Sequence, residues 1–147
     1  MTRFLLDINV LIALLDPAHV QHERAHEWFA SKGKKAWATC PLTENGVLRI
    51  VGHPRYPNSP RSPAAVAELL AEFRELPGHA FWPDDLSLLD GEQVTRSRLL
   101  DSAHVTDSYL LALARAHHGQ LATFDRRLVT DAVVKGGEAL HLIRSRG

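Results

Sequence analysis

Apolar residues along the chain come in short runs between polar breaks, and their period changes from run to run. Phe4, Leu5 and Leu6 form a continuous triplet of the kind a strand buried on both faces shows, and residues 10–15 read as an apolar helix starting after a polar turn. In residues 22–30, Ala25, Trp28 and Phe29 share one side at helical spacing, with Gly33 just beyond the end. Residues 36–39 read as a second strand stopped by Pro41, and residues 42–51 as a third helix. Residues 63–76 put Val66, Leu69, Leu70 and Phe73 on one helical face and close with Pro77-Gly78. Residues 80–82 read as a strand, 109–118 as a Leu- and Ala-rich helix ending at Gly119, 120–123 as a buried strand, and 139–143 as a closing edge strand.

Two stretches break this rhythm. Residues 52–63 carry four prolines, which no regular helix or central strand accommodates, and read as a loop. Residues 83–103 show buried-looking leucines, Leu86, Leu88 and Leu89, and a short helix over residues 91–99, but no motif. Strands alternating with helices predict an α/β fold: a mostly parallel sheet with helices on both faces.

Composition narrows the picture. A chain of 147 residues is one domain's length, so residues 1–147 are read as a single domain able to bury a core without staples. Its 45% hydrophobic and 23% charged residues exclude intrinsic disorder. No apolar run approaches the roughly 20 residues that span a bilayer. The basic start followed by an apolar run imitates a signal peptide. Asp7 and Asp16 interrupt that run and no small-residue cleavage site follows, so the expectation is a cytoplasmic protein. The lone Cys40 cannot form an internal disulfide or a thiolate zinc site and is read as a small buried hydrophobe. Seventeen basic residues balance seventeen acidic ones, so net charge does not announce nucleic acid. Distribution is more informative, because arginine is the better bidentate phosphate ligand. Arg49, Arg55 and Arg61 flank the proline-rich loop, while Arg126 and Arg127 follow Asp125, and Arg49, Arg55, Arg126 and Arg127 are the candidate RNA contacts.

The candidate chemistry is carboxylate. Asp7 and Asp125 end strands; Glu44 and Asp107 open helices, where an acid also suits the helix dipole. With right-handed crossovers in a parallel sheet, strand ends and helix starts lie at one edge, the edge where open α/β sheets bind ligands. Four carboxylates gathered there would repel one another unless some stay protonated or a cation neutralises them. Oxygen ligands without cysteine favour Mg²⁺ or Mn²⁺ over zinc, and such ions activate water for phosphodiester displacement without a protein nucleophile.

These residues resemble the PIN-domain ribonucleases, and within them the VapC toxins of toxin–antitoxin pairs. The resemblance rests on Leu-Leu-Asp7-Ile-Asn9-Val-Leu-Ile, on Thr43-Glu44, on His104-Val-Thr-Asp107-Ser-Tyr-Leu-Leu-Ala-Leu-Ala, and on Leu-Ala-Thr123-Phe-Asp125, and runs nearly end to end. It implies a three-layer α/β/α sandwich and an endoribonuclease in which Asp7, Glu44, Asp107 and Asp125 bind Mg²⁺ or Mn²⁺. Asn9 and Thr123 would steady the site. It also implies dimerisation and silencing by a small VapB-type antitoxin whose tail covers the active-site groove.

Three other readings compete. His22-Glu23-Arg24-Ala25-His26 satisfies the H-E-x-x-H pattern of zinc peptidases, although a nine-histidine chain produces so short a pattern easily, and the helix needs a polar face anyway. A haloacid-dehalogenase phosphatase would use Asp7 as nucleophile, but Asn9 stands where a second aspartate is needed. A non-catalytic RNA- or protein-binding module would have no use for clustered acids, whose burial is costly.

Overall fold

Each predicted strand forms. The computed structural model describes residues 1–144, with strands β1 (Phe4–Leu6), β2 (Trp37–Thr39), β3 (His79–Phe81), β4 (Gln120–Thr123) and β5 (Leu140–Leu142). All pair in parallel, in the order β3-β2-β1-β4-β5. The helices are α1 (Ile8–Leu15), α2 (His22–Ser31), α3 (Pro41–Val51), α4 (Pro63–Arg74) and α5 (Val105–Ala116).

Side chains alternate across the strands, as period two requires. Phe4, Leu6, Trp37 and Ala122 enter a core closed by Val10, Leu11, Trp28, Phe29, Val47, Val66 and Leu70 from α1 to α4. Leu5, Ala38 and Leu121 enter the other core, covered by Leu110, Leu111 and Leu113 of α5 together with Val94 and Val133. The result is an α/β/α sandwich, in which each fully buried Leu or Val contributes ~1.5–3 kcal/mol. The chain leaves β1 on one side of the sheet and returns through α5 on the other. Strand order therefore reverses beside β1, which opens a crevice at the carboxyl ends of β1 and β4.

Some local expectations are corrected. Pro41 is the first residue of α3 rather than a break before it, a position where its missing N–H has no helical partner to lose. Cys40 caps that helix, buried, with its N–H donating to Thr43 Oγ1 at 3.1 Å. At the end of α5 the left-handed residue is His118 (φ 59°), not Gly119. Gly119 is required for a close approach, since a Cβ there would stand 2.4 Å from the Arg3 carbonyl oxygen.

No α-helix forms over residues 91–99. Val94 is buried in an antiparallel bridge to Val133, and Val134 N–H donates to Gln93 O while Thr95 N–H donates to Ala132 O. Those backbone groups bond across the chain, leaving only single 3-10 turns at Arg96–Arg98 and Ser102–His104. The loop over residues 52–62 is anchored. Asp16, capping the end of α1, accepts from Tyr56 Oη at 2.5 Å and from Asn58 Nδ2 at 2.7 Å. Burial pushes the Asp16 carboxyl up, but these donors and the Ala18 N–H outweigh it and leave it below its ordinary value. Among the described residues no helix is long and apolar enough to cross a membrane.

Candidate active site

Asp7 follows β1 directly and starts α1. Its backbone N–H still donates to Ala122 O of β4, so the residue is fixed at the seam between the two central strands. One carboxylate oxygen accepts from the Ile8 N–H at 2.8 Å and the other from Thr123 Oγ1 at 2.7 Å. Asp7 is thus both helix cap and buried acid, and its cap role does not exclude a chemical one. Thr123 is fully buried at the end of β4, and its hydroxyl also accepts the Asp125 N–H at 3.1 Å. One hydroxyl therefore ties the two strand-end acids together. Asp125 in turn accepts the Arg127 N–H at 2.9 Å, which holds the turn.

Asp107, in the first turn of α5, completes the group. Burial, then the charges of Asp7 and Asp125, push its carboxyl up to about 6, with His104 pulling the other way. Asp7 is likewise raised. Burial is the main cause, opposed by the Thr123 hydroxyl and the Ile8 N–H and reinforced by Asp125. No Lys or Arg side chain forms an ion pair with any of these three acids among the described residues.

Glu44 has partners of its own. It ion-pairs with Arg74 at 3.2 Å and accepts from Thr39 Oγ1 at 2.6 Å. Thr39 has a single proton, and a carboxylate accepts only, so the hydroxyl donates to Glu44 and must accept from His79 Nε2 at 2.7 Å. Burial, Arg74 and Arg3 hold His79 down near 4, which keeps the ring neutral. Of the four expected acids, Asp7, Asp107 and Asp125 are linked to one another through Thr123 and their charges, while Glu44 is held by Arg74 and Thr39. No sequence signal pairs Arg74, in the last turn of α4, with Glu44 thirty residues earlier.

The oxygen-only donor set suits a hard divalent cation, and Asn9 adds to it. Its Oδ1 is buried in the first turn of α1 without a hydrogen-bond partner among the described residues. No three His, Cys, Asp or Glu side chains among the described residues already clasp a metal position. Mg²⁺ commonly needs only one or two carboxylates and completes its shell with water and substrate oxygens.

A family model described as PIN domain matches residues 4–132. The chain belongs to the PIN-domain family. Ribonuclease VapC44 of Mycobacterium tuberculosis is 47% identical over 140 residues, covering 95% of this chain and 97% of that protein. Ribonuclease VapC39 of the same organism is 42% identical over 128 residues, covering 87% and 92%. Two solved structures share the fold. VapC20 of Mycobacterium tuberculosis, described as a sarcin-ricin loop cleaving toxin, aligns with TM-score 0.62 at 18% identity over 90% of this chain and 97% of its own. VapBC2 of Rickettsia felis, bound to a promoter DNA fragment, aligns with TM-score 0.57 at 14% identity over 86% and 90%.

In this PIN domain the H-E-x-x-H segment has a different use. His22 Nδ1 meets Ala13 O at 2.7 Å and His26 Nε2 meets Leu14 O at 2.8 Å. A carbonyl only accepts, so both nitrogens carry protons and satisfy two of the last carbonyls of α1. That use gives both rings a structural role at the end of α1, and no group of three metal-ligating side chains forms around them among the described residues.

The arginines divide. Arg49 lines an open groove of about 570 Å³ with Ile8, Asn45, Asp84 and Thr106, beside Asp107. Arg126 and Arg127 are exposed directly after Asp125. Arg55 rides on the loop pinned to the carboxyl end of α1, roughly 12 Å along the helix from Asp7. Asp84, two residues past the strand predicted over residues 80–82, is not among the sequence-derived candidates, yet it lines the groove.

Proposed function

We propose that this PIN domain is an endoribonuclease of the VapC toxin kind, whose metal site is formed by Asp7, Asp107 and Asp125. The observation that carries the reading is the group of three acids at the β1/β4 crevice: burial and Asp125 raise Asp7, burial and then Asp7 and Asp125 raise Asp107, and no Lys or Arg among the described residues pairs with any of the three. Protein that gathers like charges this way is pre-arranged for a cation. A bound Mg²⁺, with Mn²⁺ as substitute, supplies the positive charge that makes water a nucleophile and offsets the charge developing on the phosphodiester.

The chain's own residues do the rest. Thr123 and the Ile8 N–H fix the orientation of Asp7, and Thr123 sets Asp125 relative to it. Asn9 offers a neutral oxygen at the edge. Asp107 adds a third carboxylate, raised by burial and by the charges of Asp7 and Asp125, whose repulsion a bound cation would relieve. Glu44 enters as a flanking acid whose charge Arg74 already answers. Arg49 in the groove, with Arg126 and Arg127 at the rim, receives RNA phosphates, and Arg55 takes more distant ones.

Family membership supports the remaining parts of the proposal: a small VapB-type antitoxin covering the groove, a homodimer, and action in the cytoplasm. Calorimetric titration with Mn²⁺ tests the site. Asp7→Asn and Asp125→Asn should lose binding, and Glu44→Gln should keep most of it. Wild-type affinity in Asp7→Asn would overturn the assignment.

A further inference from the structure

A second pocket, of about 330 Å³, opens beside the acids and is lined by Leu99, Ala132, Arg98, Asp101, Asp131 and His104, among others. Ser108, the residue after Asp107, is part of its wall, and His104 acts on Asp107 electrostatically, so the pocket and the acids share the start of α5. The apolar patch comes from Leu99 and buried Ala132. Around it the polar groups are largely free of other duties. Arg98 and Asp131 make no side-chain hydrogen bond or ion pair among the described residues, and Asp101 uses only one oxygen, on the Ala103 N–H at 2.9 Å. An apolar floor edged by a few polar groups that no protein partner engages is the general form of a small-ligand site.

We propose that this pocket takes one unstacked guanine base of the RNA, next to the phosphodiester that is cut. The inference rests on the ribonuclease reading and names what that site selects. Proteins read RNA sequence chiefly from bases splayed out of single strands, contacted on their edges and stacked on planar side chains. A free carboxylate prefers an edge with two adjacent donors. Guanine alone has one, in N1–H and the 2-amino group, so Asp131 accepts from both. Arg98 donates to O6 and N7 or stacks on the ring.

The test uses full-length wild type, Asp131→Asn and Arg98→Ala, with Mn²⁺ and a random single-stranded RNA pool whose cut ends are sequenced. It is followed by paired oligonucleotides carrying guanine or inosine at the selected position. Inosine lacks only the 2-amino group. Wild type should select guanine at one fixed position beside the cut and lose about tenfold in kcat/KM on inosine, while Asp131→Asn treats the two alike. Arg98→Ala should weaken guanine selection at the same position. Both residues are exposed, so the variants keep the fold, which circular dichroism checks. Cutting without guanine preference, or wild-type discrimination in Asp131→Asn, overturns the pocket assignment and leaves the ribonuclease reading standing. No metal-dependent cutting by wild type overturns that reading itself.

Discussion

Replacing Asp107 by asparagine should stabilise the metal-free protein while abolishing its activity. In the fold, burial and then Asp7 and Asp125 raise this carboxyl from 3.8 to about 6. A raised carboxyl binds more protons folded than unfolded between those two values, so stability is greatest below the lower one and falls as pH rises through the upper. The gap of about two units sets an upper limit of ~3 kcal/mol at neutral pH. Because the side chain is only half-buried, solvent screening reduces that to ~1 kcal/mol, or about 3 °C in Tm for a domain of this size. Asparagine removes the charge and keeps the volume. Scanning calorimetry in EDTA should show Asp107→Asn melting about 3 °C above wild type near pH 7.5, with the difference vanishing near pH 4. A variant less stable than wild type near pH 7.5, or a difference that does not change with pH, would refute the charge-crowding argument.

Thr123→Val should leave a buried Asp7 oxygen without its donor, costing ~1–3 kcal/mol in urea denaturation, and should slow cleavage because Asp7 and Asp125 lose their common tie. Tyr56→Phe removes a hydrogen bond to a charged carboxylate, so a loss of ~2 kcal/mol and faster proteolysis within residues 52–62 are expected. The Asp16 carboxyl lies below its unfolded value, so its contribution is complete above 3.8 and disappears as pH falls through the lower folded value; Asp16→Asn should flatten acid unfolding there. His22→Ala and His26→Ala should each cost ~1 kcal/mol through exposed α1 carbonyls, with Mn²⁺ affinity and RNA cleavage unchanged.

The central strands were readable from the chain because they are buried on both faces, so Phe4 to Leu6 and Leu121 to Phe124, the latter interrupted only by Thr123, appear as short apolar runs ended by acids. Those endings placed Asp7 and Asp125 correctly at one edge. What escaped the sequence depends on contacts between distant segments. Val94 looks helical in isolation, yet its backbone neighbours bond to residues 132–134, a pairing that local pattern does not encode. The same holds for Arg74, which captures Glu44 across two helices, and for Tyr56 and Asn58, which hold a proline-rich loop to Asp16. The role of the H-E-x-x-H histidines was hidden for a related reason. Whether two histidines face solvent or the end of a preceding helix depends on how α2 packs against α1.

The central claim is that this PIN domain cuts RNA with a divalent cation held by the strand-end acids. Its most direct test is the cleavage of total cellular RNA by antitoxin-free protein with Mg²⁺, Mn²⁺ or EDTA, alongside identically purified Asp7→Asn. Discrete fragments from wild type with either cation, absent with EDTA and absent from Asp7→Asn, are the predicted result. Equal cleavage by the two proteins, or cleavage that survives EDTA, would contradict it.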